Sequence, residues 1–554
     1  MQLHVQKWGN SLGTHIPVAL SPKIGLREGT PVANTMQQSY KLKASPLSEK
    51  YLLELKFPGN GDNIADADRL RQALETQIGC PVSIPLELLR EIPEKLRQND
   101  WKVTVTIGYY WPPGWGLERL VAELVEVGPG SDRLGPFGLA VDLGSTTVGG
   151  YLWDLGSGKL LAADGVTNAQ TRLGEDILTR IHYAATPQGL AELQQLASMS
   201  INRIIDLVTK QANIVPQDIT VGVISGNTTM VHLLLGLPTA NICRNPYVPV
   251  VNAPGFFPAV MIGLDLHPRA LVYLLPSVGS YVGGDILAGI LASGMHRQKE
   301  VSLLADIGTN GEMVLGNREW LVVAAGAAGP ALEGGVVACG MRAEPGAVCQ
   351  VRIDADTGKV TYRTIGDVPA CGICGSGLVD AIAQALLAGI INQRGELREP
   401  LTSLVVVPAE ESATGQPIEL TAVDIQRLLR TKAAVNAIIT TLLESVGCTF
   451  ADLKYFYAAG AFGDHLDIES AITLGLYPDL PRENIVRLGN SSGTGASLVL
   501  TDINKAQELE EIARRVTYLE MNNSLQFMAH FTAGLFFPHT DLDLFPTVKA
   551  RLKH

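Results

Sequence analysis

Two short segments carry the same residue types in the same order. The first is Leu139-Ala140-Val141-Asp142-Leu143-Gly144-Ser145-Thr146-Thr147; the second is Leu303-Leu304-Ala305-Asp306-Ile307-Gly308-Thr309-Asn310-Gly311-Glu312. They lie about 160 residues apart, the scale of one subdomain. Each is an apolar run ending in Asp-x-Gly and then hydroxyl or amide residues. The glycine lets backbone bend close to an anion, and the residues after it bring N–H and O–H donors. A carboxylate beside a phosphate makes sense only with a cation between them, so Asp142 and Asp306 imply Mg²⁺, reached through water. One Asp-x-Gly alone is an ordinary hairpin end. Two that face each other would clamp the phosphates and Mg²⁺ of a nucleotide, with Gly144, Ser145, Thr146 and Thr147 on one side and Gly308, Thr309, Asn310 and Gly311 on the other.

Further Gly-rich turns precede apolar helical runs. They are Gly226-Asn227-Thr228, Gly283-Gly284-Asp285, Gly375-Ser376-Gly377 and Gly489-Asn490-Ser491-Ser492-Gly493-Thr494-Gly495. Residues 327–335, with Gly329 and Glu333, follow the second Asp-x-Gly turn, and Tyr457–Gly463, with Gly460 and Gly463, ends a strand. Helix N-termini of this kind favour anions. Each turn by itself reads as a capped connection; their joint arrangement favours a ligand.

Something must position these turns. A chain of 554 residues is too long for one core and should divide into several domains. From Pro136 onward strands and helices alternate, the pattern of an α/β architecture. Residues 137–554 are expected to form it, in halves of roughly 137–300 and 301–554. Residues 47–130 read as a small α+β unit. Tyr51–Leu55 and Trp101–Ile107 alternate as strands, and Asp66–Thr76 and Ile84–Arg97 have helical periodicity, with Ser83 as a candidate cap. Residues 34–46 read as a linker. Residues 1–33 read as a short β-rich segment, with a strand at His4–Trp8, a turn at Gly9-Asn10-Ser11 and a second extended piece at Thr14–Pro17.

Composition narrows the function. Hydrophobic residues make up 46% and charged residues 18%, as in ordinary soluble proteins. A net charge of −12 leaves no global basic footprint for nucleic acid. No signal peptide is read at the N-terminus, and the apolar run 321–338 is too broken by Gly, Pro and Glu333 to span a membrane. No membrane association is expected, and the cytoplasm is the expected compartment. The seven cysteines are scattered and odd in number, against a secreted disulfide framework. Only Cys371 and Cys374 form a C-x-x-C. It reads as a Gly-rich turn that carries thiols, with a redox dithiol or a cluster shared across a dimer as the alternative.

The order of the turns resembles the superfamily of acetate and sugar kinases, heat-shock chaperone ATPases and actin (ASKHA). Within it, residues ~40–554 resemble the ATP-dependent reductive activators of corrinoid proteins. The matching stretches are Asp142–Thr147, Asn168–Arg180, Gly226–Gly236, Asp306–Glu312, Gly329–Gly334, Gly372–Asp380, Gly460–Gly463, Gly489–Ala496 and Phe537–Thr540. The resemblance implies ATP·Mg²⁺ bound between two ribonuclease-H-like halves. It implies that ATP drives the reduction of a corrinoid methyl-carrier from Co(II) to Co(I). On this reading Asp142 and Asp306 position Mg²⁺ and the two turns hold the β- and γ-phosphates. Gly460, Gly463 and the 489–495 turn, with Gly489, Asn490 and Gly493, flank adenosine. Gly226, Asn227, Thr228, Gly329 and Glu333 belong to the same nucleotide site, and Glu312 or Asp285 orients the hydrolytic water. A homodimer is expected.

In that family the electron comes from an iron–sulfur domain of the same chain. Here the plant-type C-x₄-C-x₂-C spacing is absent before residue 47, and no cysteine follows Cys448. No iron–sulfur cluster is therefore expected from these residues; either a separate ferredoxin supplies the electron, or the chain keeps only the ATP-dependent conformational part. Residues 1–33 resemble the N-terminal half of a MazE/AbrB-type domain, through Lys7-Trp8-Gly9-Asn10-Ser11-Leu12, Ile16-Pro17 and Gly25-Leu26-Arg27-Glu28-Gly29. His15 stands where that family has a DNA-contacting arginine, so DNA binding is not expected; a dimerisation tab or a remnant of gene rearrangement is the alternative. Three other readings of the whole chain stay open. They are a small-molecule kinase, an activator of 2-hydroxyacyl-CoA dehydratases with a cluster held by Cys371 and Cys374, and a binding module.

Overall fold

The computed structural model describes residues 6–8, 11–13, 45–113, 116–131, 135–308, 311–326, 337–521 and 525–552. Two six-stranded sheets dominate it, and five strands of each, a three-stranded meander and two strands added in parallel, repeat one topology, while the sixth strand lies on a different edge in each. In the first, Phe137–Leu143, Thr147–Asp154 and Lys159–Thr167 form an antiparallel meander. Ile219–Gly226 then adds parallel to Phe137–Leu143 on its other edge, followed by Leu271–Leu274 and Gly255–Pro258. In the second, Val301–Ile307, Gly311–Gly316 and Leu321–Gly326 form the meander. Leu453–Ala459 and Ile485–Gly489 add in parallel, and Val516–Tyr518 closes the far edge. These are the two ribonuclease-H-like halves of an ASKHA fold.

The strand sequences explain why the two Asp residues end where they do. Phe137–Leu143 is buried on both faces except at Asp142, and Val301–Ile307 is buried except at its first residue and Asp306. Near-continuous burial is what a central strand covered on both sides requires. The long helix Pro187–Ala212 covers one face of the first sheet and Ala422–Ser445 one face of the second. Thr186 and Thr421 cap these helices through their side chains.

Two helices form the seam between the halves. Gly284–Ser293 follows the last strand of the first half, and Ser491–Thr501 follows a strand of the second. They cross at small residues: a Cβ on Gly495 would lie 2.4 Å from the Ala288 carbonyl oxygen and 2.5 Å from the Ala288 Cβ. Only glycine permits that approach. Their buried faces belong to one apolar core that also includes residues of both sheets and of the small N-terminal unit.

That small unit is a four-stranded sheet of Ser48–Glu54, Lys102–Tyr110, Val121–Pro129 and Val82–Ser83, with two helices. Leu88, Ile92 and Leu96, spaced by four on the helix Leu86–Gln98, are fully buried, each contributing about 1.5–3 kcal/mol of transfer free energy. Ser83 is not a helix cap. It pairs in the sheet opposite Glu123, and Pro85 takes the N-cap position with no side-chain bond. The unit is fastened to both halves. Ser48 Oγ meets Thr220 Oγ1 at 2.9 Å, Arg269 Nε donates to the Val125 carbonyl at 2.7 Å, and Trp111 Nε1 donates to Glu510 at 3.0 Å.

Near the N-terminus, Gln6–Trp8 and Ser11–Gly13 pair antiparallel with Trp8 opposite Ser11. The second strand thus starts inside the turn expected at 9–11. The rest of the MazE/AbrB-like stretch and most of the expected linker lie outside the described residues. Among the described residues, no helix is long and apolar enough to cross a membrane.

Candidate functional site

The site lies where both sheets end and the seam helices begin. Asp142 stands at the end of its strand, paired in register with Ser225 on one side and Gly149 on the other. Asp306 has the equivalent place, between Ala459 and Glu312. Glu312 directly opposes Asp306 on an antiparallel strand, so both side chains leave the same face of the sheet. Asp285 occupies the first turn of the helix Gly284–Ser293, where its Oδ1 accepts from the Ile286 N–H at 2.8 Å. A Cβ on Gly283 would strike Asn227 Cα at 2.3 Å, which sets this helix start against the Gly226-Asn227 turn.

The three aspartates sense one another. Burial pushes the Asp306 carboxyl up to about 7, and the charge of Asp142 adds to it. Burial also pushes Asp285 to about 7, with the charges of Asp306 and Asp142 adding. Asp142 is raised by burial too, but Ser492 and Asn490 work against the shift. Ser492 Oγ donates to Asp142 Oδ1 at 2.7 Å, and Asn490 Nδ2 donates to Oδ2 at 2.8 Å. Ser492 also meets Ser225 Oγ at 2.9 Å. All three residues are only partly buried, at the edge of the core. Clustered carboxylates that resist ionisation in this way suit a divalent cation and its waters. Among the described residues no three His, Cys, Asp or Glu side chains could hold a metal alone, so phosphate oxygens and water would have to complete the coordination.

The first phosphate turn is braced from behind. Asn168 Nδ2 donates to the Gly144 carbonyl at 2.8 Å, Arg180 Nη2 donates to the Ser145 carbonyl at 2.6 Å, and the Asn168 N–H donates to the Thr146 carbonyl at 2.8 Å. In a trans peptide the N–H points opposite to the carbonyl. Three carbonyls held on one side therefore turn the N–H groups of Ser145, Thr146 and Thr147 to the other, an arrangement suited to an anion. The brace residues Asn168 and Arg180, and Ser225 beside Ser492, are absent from the expected site; Ser492 lies in the expected 489–495 turn, but as part of an adenosine contact and not as a partner of Asp142. Asn168 and Arg180 do delimit one of the stretches that carried the family resemblance.

Several expected nucleotide-binding residues serve the scaffold. Thr228 Oγ1 donates to the Gly279 carbonyl at 2.9 Å, and Asn227 Oδ1 caps the helix Thr228–Leu234 through the Met230 N–H at 2.9 Å. Gly463 is buried, and its carbonyl accepts from Tyr477 at 3.1 Å. A Cβ on Gly493 would lie 2.3 Å from the Tyr151 ring, and its N–H donates to Asn490 Oδ1 at 2.6 Å. Gly489 is buried at the end of its strand with φ +60°. Gly460 reaches the cleft: with φ +78°, a Cβ there would sit 2.6 Å from Asp306 Oδ1. Gly308 and Gly311 flank the second turn; Thr309, Asn310, Gly329 and Glu333 lie outside the described residues.

The seven cysteines are free. Cys371 is exposed, whereas Cys374 is buried and turned toward the Val348 carbonyl and Ser376 Oγ, both at 3.3 Å. The two C-x-x-C thiols thus have different surroundings, one exposed and one buried.

Comparison with known proteins places the whole arrangement. Residues 37–133 match the RACo linker region, 137–298 the RACo middle region, and 300–549 the C-terminal domain of RACo, the ASKHA domain. The corrinoid activation enzyme RamQ of Eubacterium limosum is 31% identical over 477 residues, covering 82% of this chain and 80% of that protein. The [Co(II) methylated amine-specific corrinoid protein] reductase of Methanosarcina barkeri is 31% identical over 309 residues, 50% of this chain and 55% of that one. The solved structure of a reductive activator for corrinoid, iron–sulfur protein superposes with a TM-score of 0.83 at 38% identity, covering 92% of this chain and 82% of that chain. The chain belongs to the RACo family, the corrinoid-protein activators its motifs resemble.

Proposed function

We propose that this chain uses ATP to drive the one-electron reduction of a corrinoid protein's cobalt from Co(II) to Co(I). The observation that carries the ATP half is the convergence of Asp142, Asp285 and Asp306 between two equivalent halves, beside a turn whose N–H groups face the cleft. The relatives' named activities, shared over most of the chain, carry the corrinoid half.

The residues divide the work as follows. The N–H groups of Ser145, Thr146 and Thr147 bind phosphate oxygens. Asn490 and Ser492 favour the ionised form of Asp142 against the cost of its burial. Asp142 and Asp306 would hold Mg²⁺, which neutralises phosphate charge when bound. Asp285, held near neutrality, is poised to accept a proton from water at physiological pH. Glu312, opposite Asp306, is the alternative for orienting that water. Gly460 keeps the second half's backbone close to Asp306, on the side where adenosine would lie. Closure of the halves about the Gly495–Ala288 crossing would alter the face offered to the corrinoid protein.

The electron is assigned to an iron–sulfur centre outside these 554 residues, which we take to be a separate ferredoxin. The spacing of the seven cysteines along the sequence supports that assignment. The test of the site is ATP turnover in Asp142→Ala and Asp306→Ala. Loss of turnover in both is expected; wild-type turnover in both would remove the assignment.

A further inference from the structure

Arg180 is fully buried, and its surroundings are unusual for a guanidinium. Nε donates to the Gly174 carbonyl at 2.8 Å, Nη1 approaches Gln170 Oε1 and Met230 Sδ at 3.3 Å each, and Nη2 donates to the Ser145 carbonyl at 2.6 Å. None of these partners is a carboxylate. Asp176 acts on it only through longer-range charge, and its carboxyl is already engaged by the N–H and hydroxyl of Thr179. Burial lowers the Arg180 pKa to about 10, so the side chain stays charged at neutral pH. A buried charge to which no carboxylate among the described residues is bonded is costly, and it persists where something else offsets that cost.

The missing counterion has an evident place. Arg180 bonds the back of the peptide whose front N–H faces the cleft, so its charge lies one backbone thickness behind the turn at Ser145–Thr147. Gln170 and Gly174 hold the guanidinium there. Gln170 is itself buried and tied to the Leu193 carbonyl at 2.7 Å.

We propose that Arg180 is the positioning residue for the nucleotide's phosphates: it aims the N–H groups of the first turn and supplies a buried positive charge that the bound polyphosphate neutralises. The residue makes no contact with the ligand. Its effect should scale with the ligand's phosphate charge and vanish for a ligand without phosphate. This inference rests on the nucleotide reading above, and the experiment separates the two.

The test compares wild type with Arg180→Met and Arg180→Lys. Binding of ATP·Mg²⁺, ADP·Mg²⁺ and adenosine is measured by calorimetry, and melting with and without ATP·Mg²⁺ is recorded. Expected for Arg180→Met is a loss of roughly tenfold or more in ATP affinity, as for one charge-assisted interaction in a partly desolvated site. The loss should be smaller for ADP and absent for adenosine, and the ATP-induced rise in melting temperature should shrink. Arg180→Lys should recover part of the ATP affinity, since it keeps the charge without the fork. A purely structural role would lower affinity for all three ligands alike; that result, or wild-type ATP affinity in Arg180→Met, overturns the proposal. If Arg180→Met does not fold, Gln170→Glu sets a carboxylate against the guanidinium in nearly the same shape. It should weaken ATP and spare adenosine, and unchanged ATP affinity there would equally overturn the proposal. Wild-type protein that binds neither ATP nor adenosine would instead refute the nucleotide reading itself.

Discussion

Replacing Ser492 by alanine should disable Asp142 without touching it. Ser492 Oγ gives Asp142 Oδ1 a 2.7 Å bond, and among the described residues Asn490 supplies the only other side-chain bond that opposes the effect of burial on this carboxyl. A hydrogen bond to a charged group is worth about 1.5–3 kcal/mol. Because Asn490 remains, the lower end applies, and about 1.5 kcal/mol corresponds to about tenfold in kcat/KM for ATP·Mg²⁺. The sign of the pH effect follows from the same balance. Burial raises the Asp142 pKa and Ser492 lowers it, so the variant takes up a proton at higher pH than wild type. The acid limb of the ATPase profile should move to higher pH, and the rate deficit should be largest at low pH and narrow as pH rises. The assay is steady-state ATP turnover from about pH 5.5 to 9, with melting recorded in parallel because Ser225 also loses its 2.9 Å partner. An acid limb at the wild-type position, with kcat/KM within about twofold at neutral pH, would refute the role given to Ser492.

Three further outcomes follow from the structure. Asp306, raised to about 7 from 3.8, holds a proton in the folded state over that range that the unfolded chain has released. Its contribution to stability therefore falls as pH rises through that window. Asp306→Asn should gain on wild type in nucleotide-free denaturation between about pH 5 and 8; a pH-independent difference would contradict this. Gly495→Ala puts a Cβ 2.4 Å from the Ala288 carbonyl oxygen. Forcing the seam apart should cost about 1–3 kcal/mol by urea unfolding, and an unchanged midpoint would contradict the crossing. Lys432, fully buried, donates to the carbonyls of Gly534 at 3.0 Å, Phe536 at 2.9 Å and Pro538. Lys432→Met should lose about 3 kcal/mol, roughly 1 per bond, and expose the C-terminal segment to limited proteolysis; wild-type resistance would argue against that tether.

Much of the architecture was legible because it is written in local pattern. The repeated Asp-x-Gly stood at the ends of apolar runs, and the two runs became the central strands of equivalent sheets. Family resemblance then named the fold those strands belong to. What escaped is carried by contacts between distant residues. Ser492 and Asn490 reach Asp142 across about 350 positions, and nothing near either hydroxyl or amide marks that meeting. Arg180 reads as an ordinary helix residue until its burial under the phosphate turn is seen. Glycine was ambiguous for a related reason. Gly493 and Gly495 look like parts of one ligand loop, yet one makes room for the Tyr151 ring and the other for a neighbouring helix. Ser83 shows the reverse error: cap-forming chemistry before a proline was overridden by pairing with the strand at Glu123.

The central claim is that ATP use in this cleft is spent on cobalt reduction. It is tested most directly under anaerobic conditions, by mixing the protein with a Co(II) corrinoid protein, reduced ferredoxin and ATP·Mg²⁺ and following the Co(I) absorbance. The account predicts Co(I) formation that requires ATP and ferredoxin and is lost in Asp142→Ala. Intact ATP turnover with no Co(I) under any of these conditions, or Co(I) formed equally well without ATP, would contradict it.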